Sequence, residues 1–466
     1  MLTGAWSERI RVEKTAELLG AVGLVIFASS CFLSTSGVSI GLGLLVGAMV
    51  LQPSLVRELR RDPLILLGAV STIYLVLRTL WAIWELPETA HLQVSQAWGW
   101  FRLWLFVVVA WWLRGDVKRV WWVLLLSLLG LLLGMVFFLS AHPHALWSNE
   151  RTGFHLKIMP FALYTSTGAL GLLVFARRVW GTKDNSMRGA LRMGSWVIGL
   201  SLTLQGLIVT QSRGMWLTAA VVIPVAAILG QGLRRRRGAH SRRLGAALVG
   251  MAVLGFATLF LLNFQTVIGR FSQEKETIAA IRSGDLQNVP TYGVGARIHA
   301  FKFGWTKLLE RPVIGWGPGS TEYLIARSDL AQVGPSRGTN DGGQQQDLWL
   351  DHLFNTYLEV LVRLGLLGAL LMIPVPVLLA RGLWEAYGEG RLPKDLGLFL
   401  IGAMVLAASW CLFEFRLLHP DWRSYWILIG GISATFHFWK RVPACSDAEG
   451  PSPPQTKAEH CRGRHE

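Results

Sequence analysis

The sequence predicts an all-α polytopic membrane protein of about twelve transmembrane helices with one large loop on the outer side. Three observations predict it. Apolar runs of about 20 residues recur along the chain, each long enough to cross a hydrocarbon core of roughly 30 Å. Basic residues gather in alternate connections between those runs. One connection, residues 264–354, is far longer than the others. The composition agrees: 52% of the 466 residues are hydrophobic and 22 are Trp. A net charge of +16 would suit a nucleic-acid binder, but the charge sits in the connections, where it sets topology instead.

The apolar runs lie near 16–34, 36–54, 63–84, 97–113, 119–140, 159–177, 191–210, 215–231, 244–263, 355–380, 395–415 and 424–440. One set of connections holds Arg9, Arg11 and Lys14, then Arg57, Arg60 and Arg61, then Arg114, Lys118 and Arg119. It continues through Arg177, Arg178, Lys183 and Arg188 to the "RRRR" of 234–237, then Arg381, Arg391 and Lys394 and the basic tail from Lys440. The other set, around 35, 85–96, 141–158, 211–214 and 416–423, is poor in Lys and Arg. Positive residues stay inside, so both termini are expected in the cytoplasm. The first span lacks a small-residue cleavage site and reads as an uncleaved anchor. Cys31 and Cys411 fall in spans and Cys445 and Cys461 in the tail, so no disulfide framework or zinc site is indicated. The organisation expected is nine helices over 1–263, the outer loop 264–354, three helices over 355–440, and a Pro-rich disordered tail at 441–466.

A connection of that length is usually functional. Within it, Ile298, Phe301, Trp305 and Leu308 or Leu309 recur at helical spacing, so 296–309 reads as an amphipathic helix ended by Pro312. "GWGPGS" (315–320) follows, a tight turn or hinge, with packing as the equal alternative. "RGTNDGGQQQD" (337–347) is loop by composition. In "DHLFNTYLEVLVRLGLLGALL" (351–371), His352, Asn355, Glu359 and Arg363 form one polar stripe running into the membrane. Intramembrane ionisable residues mark function by default, although Glu359 and Arg363 can also simply pair at i, i+4. His352 stands where the loop meets the membrane, within reach of a lipid head group and an aqueous substrate alike.

Four arginines approach the same outer level. Arg213 separates two apolar runs in "TQSRGMWLTA" (210–219). Arg78 lies fifteen residues into its span, roughly 22 Å up. Arg102 is within two turns of the start of the next, and Arg297 is on the loop helix. Together they suit a phosphate or pyrophosphate at the membrane surface, because the planar guanidinium makes bidentate, charge-assisted hydrogen bonds. Singly, Arg78 and Arg102 can equally snorkel or cap carbonyls.

These stretches resemble the O-antigen ligase and O-antigen polymerase superfamily. "TQSRGMWLTA" resembles its outside S-R-G motif, with Ser212, Arg213 and Gly214. "GARIHAFKFGWTKLLERPVIGWGPGSTEYL" resembles its Arg, Trp, Pro and G-x-G-P-G signature, with Arg297, Gly315, Gly317, Pro318 and Gly319. "FNTYLEVLVRLGLLG" resembles its H-N-x-x-L-E segment, with Asn355 and Glu359, although Phe354 holds the usual His position and His352 lies two residues earlier. The resemblance implies a GT-C-like glycosyltransferase of the bacterial inner membrane, working on the periplasmic face without metal or cofactor. The donor implied is an undecaprenyl-pyrophosphate-linked glycan. The acceptor is a lipid A core sugar, another lipid-linked unit, or a protein hydroxyl. It implies Arg213 and Arg297 as pyrophosphate ligands and His352 as base, with His299, His419 and Glu359 in reserve. Membrane lipids are partners; nucleic acid is not. An anion transporter of the bicarbonate type is the more distant reading. It should show pseudo-repeated halves and broken helices at mid-membrane, and no repeat is legible.

Overall fold

The computed structural model describes residues 2–52, 60–146, 150–180, 187–232, 250, 261, 263–272, 275–284, 289–291, 293–332, 338–339, 345–346 and 350–439. Within them the chain is helical apart from turns and one pair of two-residue strands, β1 (Gly338–Thr339) and β2 (Gln345–Gln346), paired antiparallel. In order the helices are α1 (Leu2–Ser30), α2 (Thr35–Val50), α3 (Pro63–Glu85), α4 (Ala90–Arg102), α5 (Phe106–Leu113), α6 (Val117–Ala141), α7 (Ile158–Val174), α8 (Ala176–Trp180), α9 (Met187–Val209) and α10 (Arg213–Gly232). Then come α11 (Phe264–Ser272), α12 (Lys275–Ser283), α13 (Gly293–Glu310), α14 (Ser320–Ala326), α15 (Thr356–Met372), α16 (Pro374–Gly388), α17 (Lys394–Trp410) and α18 (Pro420–Phe438).

Among the described residues five stretches are long and apolar enough to cross a membrane: α3, α6, α9, Arg213–Gly230 of α10, and α15 running on into α16. The apolar run at 244–263, the "RRRR" and the tail lie outside the described residues, save Gly250, Leu261 and Asn263. Starts follow local chemistry. Asp62 accepts from the Leu64 amide (2.8 Å) ahead of Pro63, and Asp116 accepts from Lys118 N (2.8 Å), each satisfying an amide left free at a helix start. Outward faces stay apolar: on α3, Leu66, Val70, Ile73, Leu77 and Leu80 are all exposed, as a lipid solvent permits.

Contacts respect the two sets of connections. In the basic set, His437 reaches Asp62 (3.1 Å), Gly115 N donates to Thr435 (2.8 Å), and Arg391 donates to the Trp439 carbonyl (3.0 Å). In the other, His155 reaches the Phe32 carbonyl (3.2 Å), Cys31 donates to the Ser424 carbonyl (3.3 Å), and Arg151 donates to the Thr210 carbonyl (2.9 Å). The main core, around Phe27, Trp111, Phe161, Tyr164, Trp410 and Tyr425, joins α1, α5, α7, α17 and α18. A second core beneath α13 and α14 packs Ala300, Leu308, Ile325, Leu353, Leu358 and Val362.

Three expectations change. The run at 97–113 is two helices, α4 and α5, joined by a 3-10 turn at Leu103–Leu105 just after Arg102. The loop helix forms, as α13, but turns the other way. Ala296, Ala300, Gly304 and Leu308 pack inward, while Phe301, Trp305 and Leu309 are exposed. Small residues face α15 because Leu353 and Leu358 come too close for larger ones; a Cβ at Gly304 would stand 2.7 Å from Leu353.

The third change is a break in α15, which periodicity reads as continuous. Gly365 has φ +65° and ψ −171°. The freed backbone groups are met by the segment 312–317. Trp316 N donates to Val362 O and Gly317 N to Arg363 O (both 2.8 Å), while Leu366 N donates to Pro312 O (2.9 Å) and Leu367 N to Val313 O (3.1 Å). Non-helical backbone at membrane depth survives only where protein meets its polar groups. Gly315 (φ +67°) and Gly365 allow the approach: a Cβ on Gly315 would lie 2.6 Å from Gly365 N, and one on Gly365 2.2 Å from Val313 O. "GWGPGS" is therefore a packed wedge. Gly365→Ala should destabilise the fold by about 2 kcal/mol or more. Thermal unfolding in detergent should show a lowered midpoint, against no change for Gly43→Ala, where a Cβ meets nothing.

Candidate functional site

The wedge is held by the α3–α4 corner. Arg78 is buried and donates from Nε to the Ile314 carbonyl (3.0 Å) and from Nη2 to the Gly315 carbonyl (2.8 Å), with Glu85 3.6 Å away. Those carbonyls have no helical partners, so a guanidinium fork suits them. Tyr74 donates to Leu364 O, the carbonyl left by the break. Arg311 pairs with Glu85 and stacks on Trp316 (4.1 Å). Arg78, expected at an anion, is thus bound to the turn; its Nη1 is buried with no hydrogen-bond partner among the described residues. Gly317 lies against α3 and α4 and Gly319 against α4: a Cβ would stand 2.6 Å from Ala82 at the first and 2.3 Å from Leu92 O at the second, and Gln93 accepts from Gly319 N (2.8 Å). Pro318 O accepts from Arg363 (2.8 Å).

Glu359 and Arg363 form a buried pair at 2.6 Å. The second Glu359 oxygen accepts from Leu353 N (2.8 Å), and Arg363 lies over the Phe415 ring (4.8 Å). Of the polar stripe, these two are structural partners of the wedge. Asn355 caps α15, accepting from Leu358 N (2.9 Å) and donating to Leu412 O (3.2 Å). Phe354, at φ +56°, turns the chain into that cap.

His352 stands outside the helix, its Nε2 2.7 Å from Glu414 Oε1 and its ring 4.9 Å from that of Phe354. Arg297 lies over the same Phe354 ring at 5.6 Å. The S-R-G motif joins from another side. Ser212 accepts from Trp216 N (2.9 Å) at the start of α10, which places Arg213 in its first turn, where the helix dipole also favours anions. Gly214 lets the Phe413 ring approach to 2.8 Å of where a Cβ would be, and Phe413 adjoins Glu414. The start of α10, which carries Arg213, thus packs on Phe413, Glu414 holds His352, and Arg297 and His352 both lie against Phe354. Arg102 lies over Trp98 (5.1 Å). His299 is taken by the Val289 carbonyl (3.0 Å).

The electrostatics are uneven. Burial alone would lower the His352 pKa, but the hydrogen bond and charge of Glu414, with Asp351 and Glu359, carry it up to about 9. His419, ahead of α18, is lowered to about 4 by burial and then by Arg416. At neutral pH His352 is therefore a cation and His419 neutral. Glu414 escaped the sequence reading, although an acid at the outer end of an apolar run, between Phe413 and Phe415, is the signal that intramembrane charge provides.

Residues 198–373 match the family model described as O-antigen ligase. That stretch holds the S-R-G motif, α13, the wedge, His352 and α15. No curated protein matches the chain. The buried pair yields a stability prediction. Glu359→Gln leaves Arg363 uncompensated and should cost roughly 3–5 kcal/mol, whereas combining Glu359→Gln with Arg363→Met should recover part of it. Melting midpoints of the single and double variants check this.

Proposed function

We propose that this chain, a member of the O-antigen ligase and polymerase superfamily, moves a glycan from undecaprenyl pyrophosphate to an acceptor hydroxyl on the periplasmic face of the bacterial inner membrane. The family is one of enzymes that transfer lipid-linked glycans. The transfer reading is supported above all by one observation: the S-R-G start of α10, Arg297 and His352, remote in sequence, are tied to adjoining residues at the mouth of α15, through Phe413, Phe354 and Glu414.

The chemistry follows from those groups. Arg213, with the amide end of α10 behind it, and Arg297 hold the donor pyrophosphate. Departure of that group concentrates negative charge at the bridging oxygen, where fixed guanidinium groups stabilise it most. The acceptor oxygen attacks the anomeric carbon from the opposite side, which inverts that centre. His352, in its neutral form, takes the hydroxyl proton. Arg78 braces the wedge that fixes α15.

Arg213→Ala should lower transfer by roughly 10²–10³-fold while the protein stays folded in the membrane. The deciding experiment disrupts the gene, restores it as wild type or Arg213→Ala, and separates lipopolysaccharide by size. Loss of all polymer bands with long lipid-linked glycan accumulating, uncorrected by the variant, supports ligation to the lipid A core. A single repeat unit still joined to the core identifies a polymerase instead. An unchanged ladder overturns both and directs the search to glycoproteins, where protein hydroxyls are the acceptors.

A further inference from the structure

Glu414 belongs to none of the motifs through which the site was read. Its side chain is nearly enclosed, 9% exposed, as is that of His352 at 12%. Its placement does not depend on the histidine. Thr356 donates to its backbone carbonyl (2.6 Å), Phe413 before it packs on Gly214, and Phe415 after it lies beneath Arg363. Through the 2.7 Å contact it takes one ring nitrogen of His352, Nε2. The other, Nδ1, is buried and has no hydrogen-bond partner among the described residues; Asp351 at 3.5 Å is too far. An imidazole that donates from Nε2 carries its lone pair on Nδ1. A buried polar atom with no partner calls for an explanation, and a catalytic role is one.

We propose that Glu414 is a positioning residue for His352, holding Nε2–H on its carboxylate so that Nδ1 receives the proton of the acceptor hydroxyl. This rests on the glycan-transfer reading. In the step, the acceptor O–H bond breaks and its proton passes to Nδ1. The acceptor oxygen forms the new bond to the anomeric carbon. The bond from that carbon to the phosphate oxygen breaks, and its electron pair leaves with undecaprenyl pyrophosphate. The imidazolium so formed is balanced by Glu414 and then releases its proton to water. The charged or titratable groups around His352 are Glu414 on the connection after α17, Asp351 beside it, Glu359 on α15 paired to Arg363, and His419 ahead of α18.

The test measures kcat/KM for transfer by the purified full-length protein against pH, from neutral to about pH 10. The wild type should gain activity as pH rises towards about 9, because deprotonation creates the base. Glu414→Gln removes the balancing charge, so the inflection should fall by a pH unit or more and the plateau by roughly tenfold or more. Glu414→Asp keeps the charge one methylene further away, and should lower the rate while leaving the inflection nearer that of the wild type. A Glu414→Gln protein with the wild-type rate and inflection overturns the proposal. So does an active His352→Ala protein beside an inactive His419→Ala one. Should Glu414→Gln not fold, Glu414→Asp decides alone, an unchanged rate at every pH being the refuting result. If the wild type transfers glycan from no lipid-linked donor, the transfer reading itself falls, and that outcome is separate from a wild type that works with an indifferent Glu414.

Discussion

Arg363 is the interaction on which the rest of the site depends. Its side chain ties α15 to the wedge through Pro318 O, to Glu359 one turn earlier, and to the 412–418 connection through the Phe415 ring. Its own carbonyl, left by the break at Gly365, receives Gly317 N. One residue thus serves as a side-chain donor to the turn and as a backbone acceptor from it. A guanidinium can do this because its donors diverge in a plane while its face remains available to an aromatic ring. A lysine would supply the charge without that geometry.

Around this brace the polar groups divide by task. Arg78, Gln93, Glu359 and Arg363 have their hydrogen-bonding capacity largely turned inward, on carbonyls and amides that a broken helix and a glycine turn would otherwise leave unmet. Arg213, Arg297 and His352 are set on aromatic rings and helix ends instead, at the rim of the same junction. The division follows from depth. Deep in an apolar bundle a charge must be paired or it is costly, whereas near the surface solvent lowers that cost.

Much of this was legible in the residues. The apolar runs marked an all-helical chain with membrane-length helices, and the S-R-G and G-x-G-P-G stretches fall within the stretch that matches the O-antigen ligase family model. What the pattern could not carry was packing. Periodicity marks Phe301, Trp305 and Leu309 as one face of α13 but cannot say whether protein or solvent lies beside it; the steric limit at Gly304 decided that. Nor can it see the break at Gly365, whose acceptability depends on bonds from residues some fifty positions earlier. Arg78 looked like an anion ligand because its depth was readable and the carbonyls awaiting it were not. Glu414 was passed over because nothing near it in sequence hints at His352.

The wedge also bears on the order in which the protein can be made. Segment 312–317 leaves the ribosome well before α15, yet the hydrogen bonds of each complete the other. Until α15 has entered the bilayer, the glycine turn has no surface to rest on. Until the turn docks, α15 has no reason to bend at Gly365 rather than run on as an ordinary helix. Closing a loop of that length carries an entropic penalty that only the whole set of bonds offsets. The bent helix and the glycine turn therefore stabilise one another, and neither conformation is accounted for without the other.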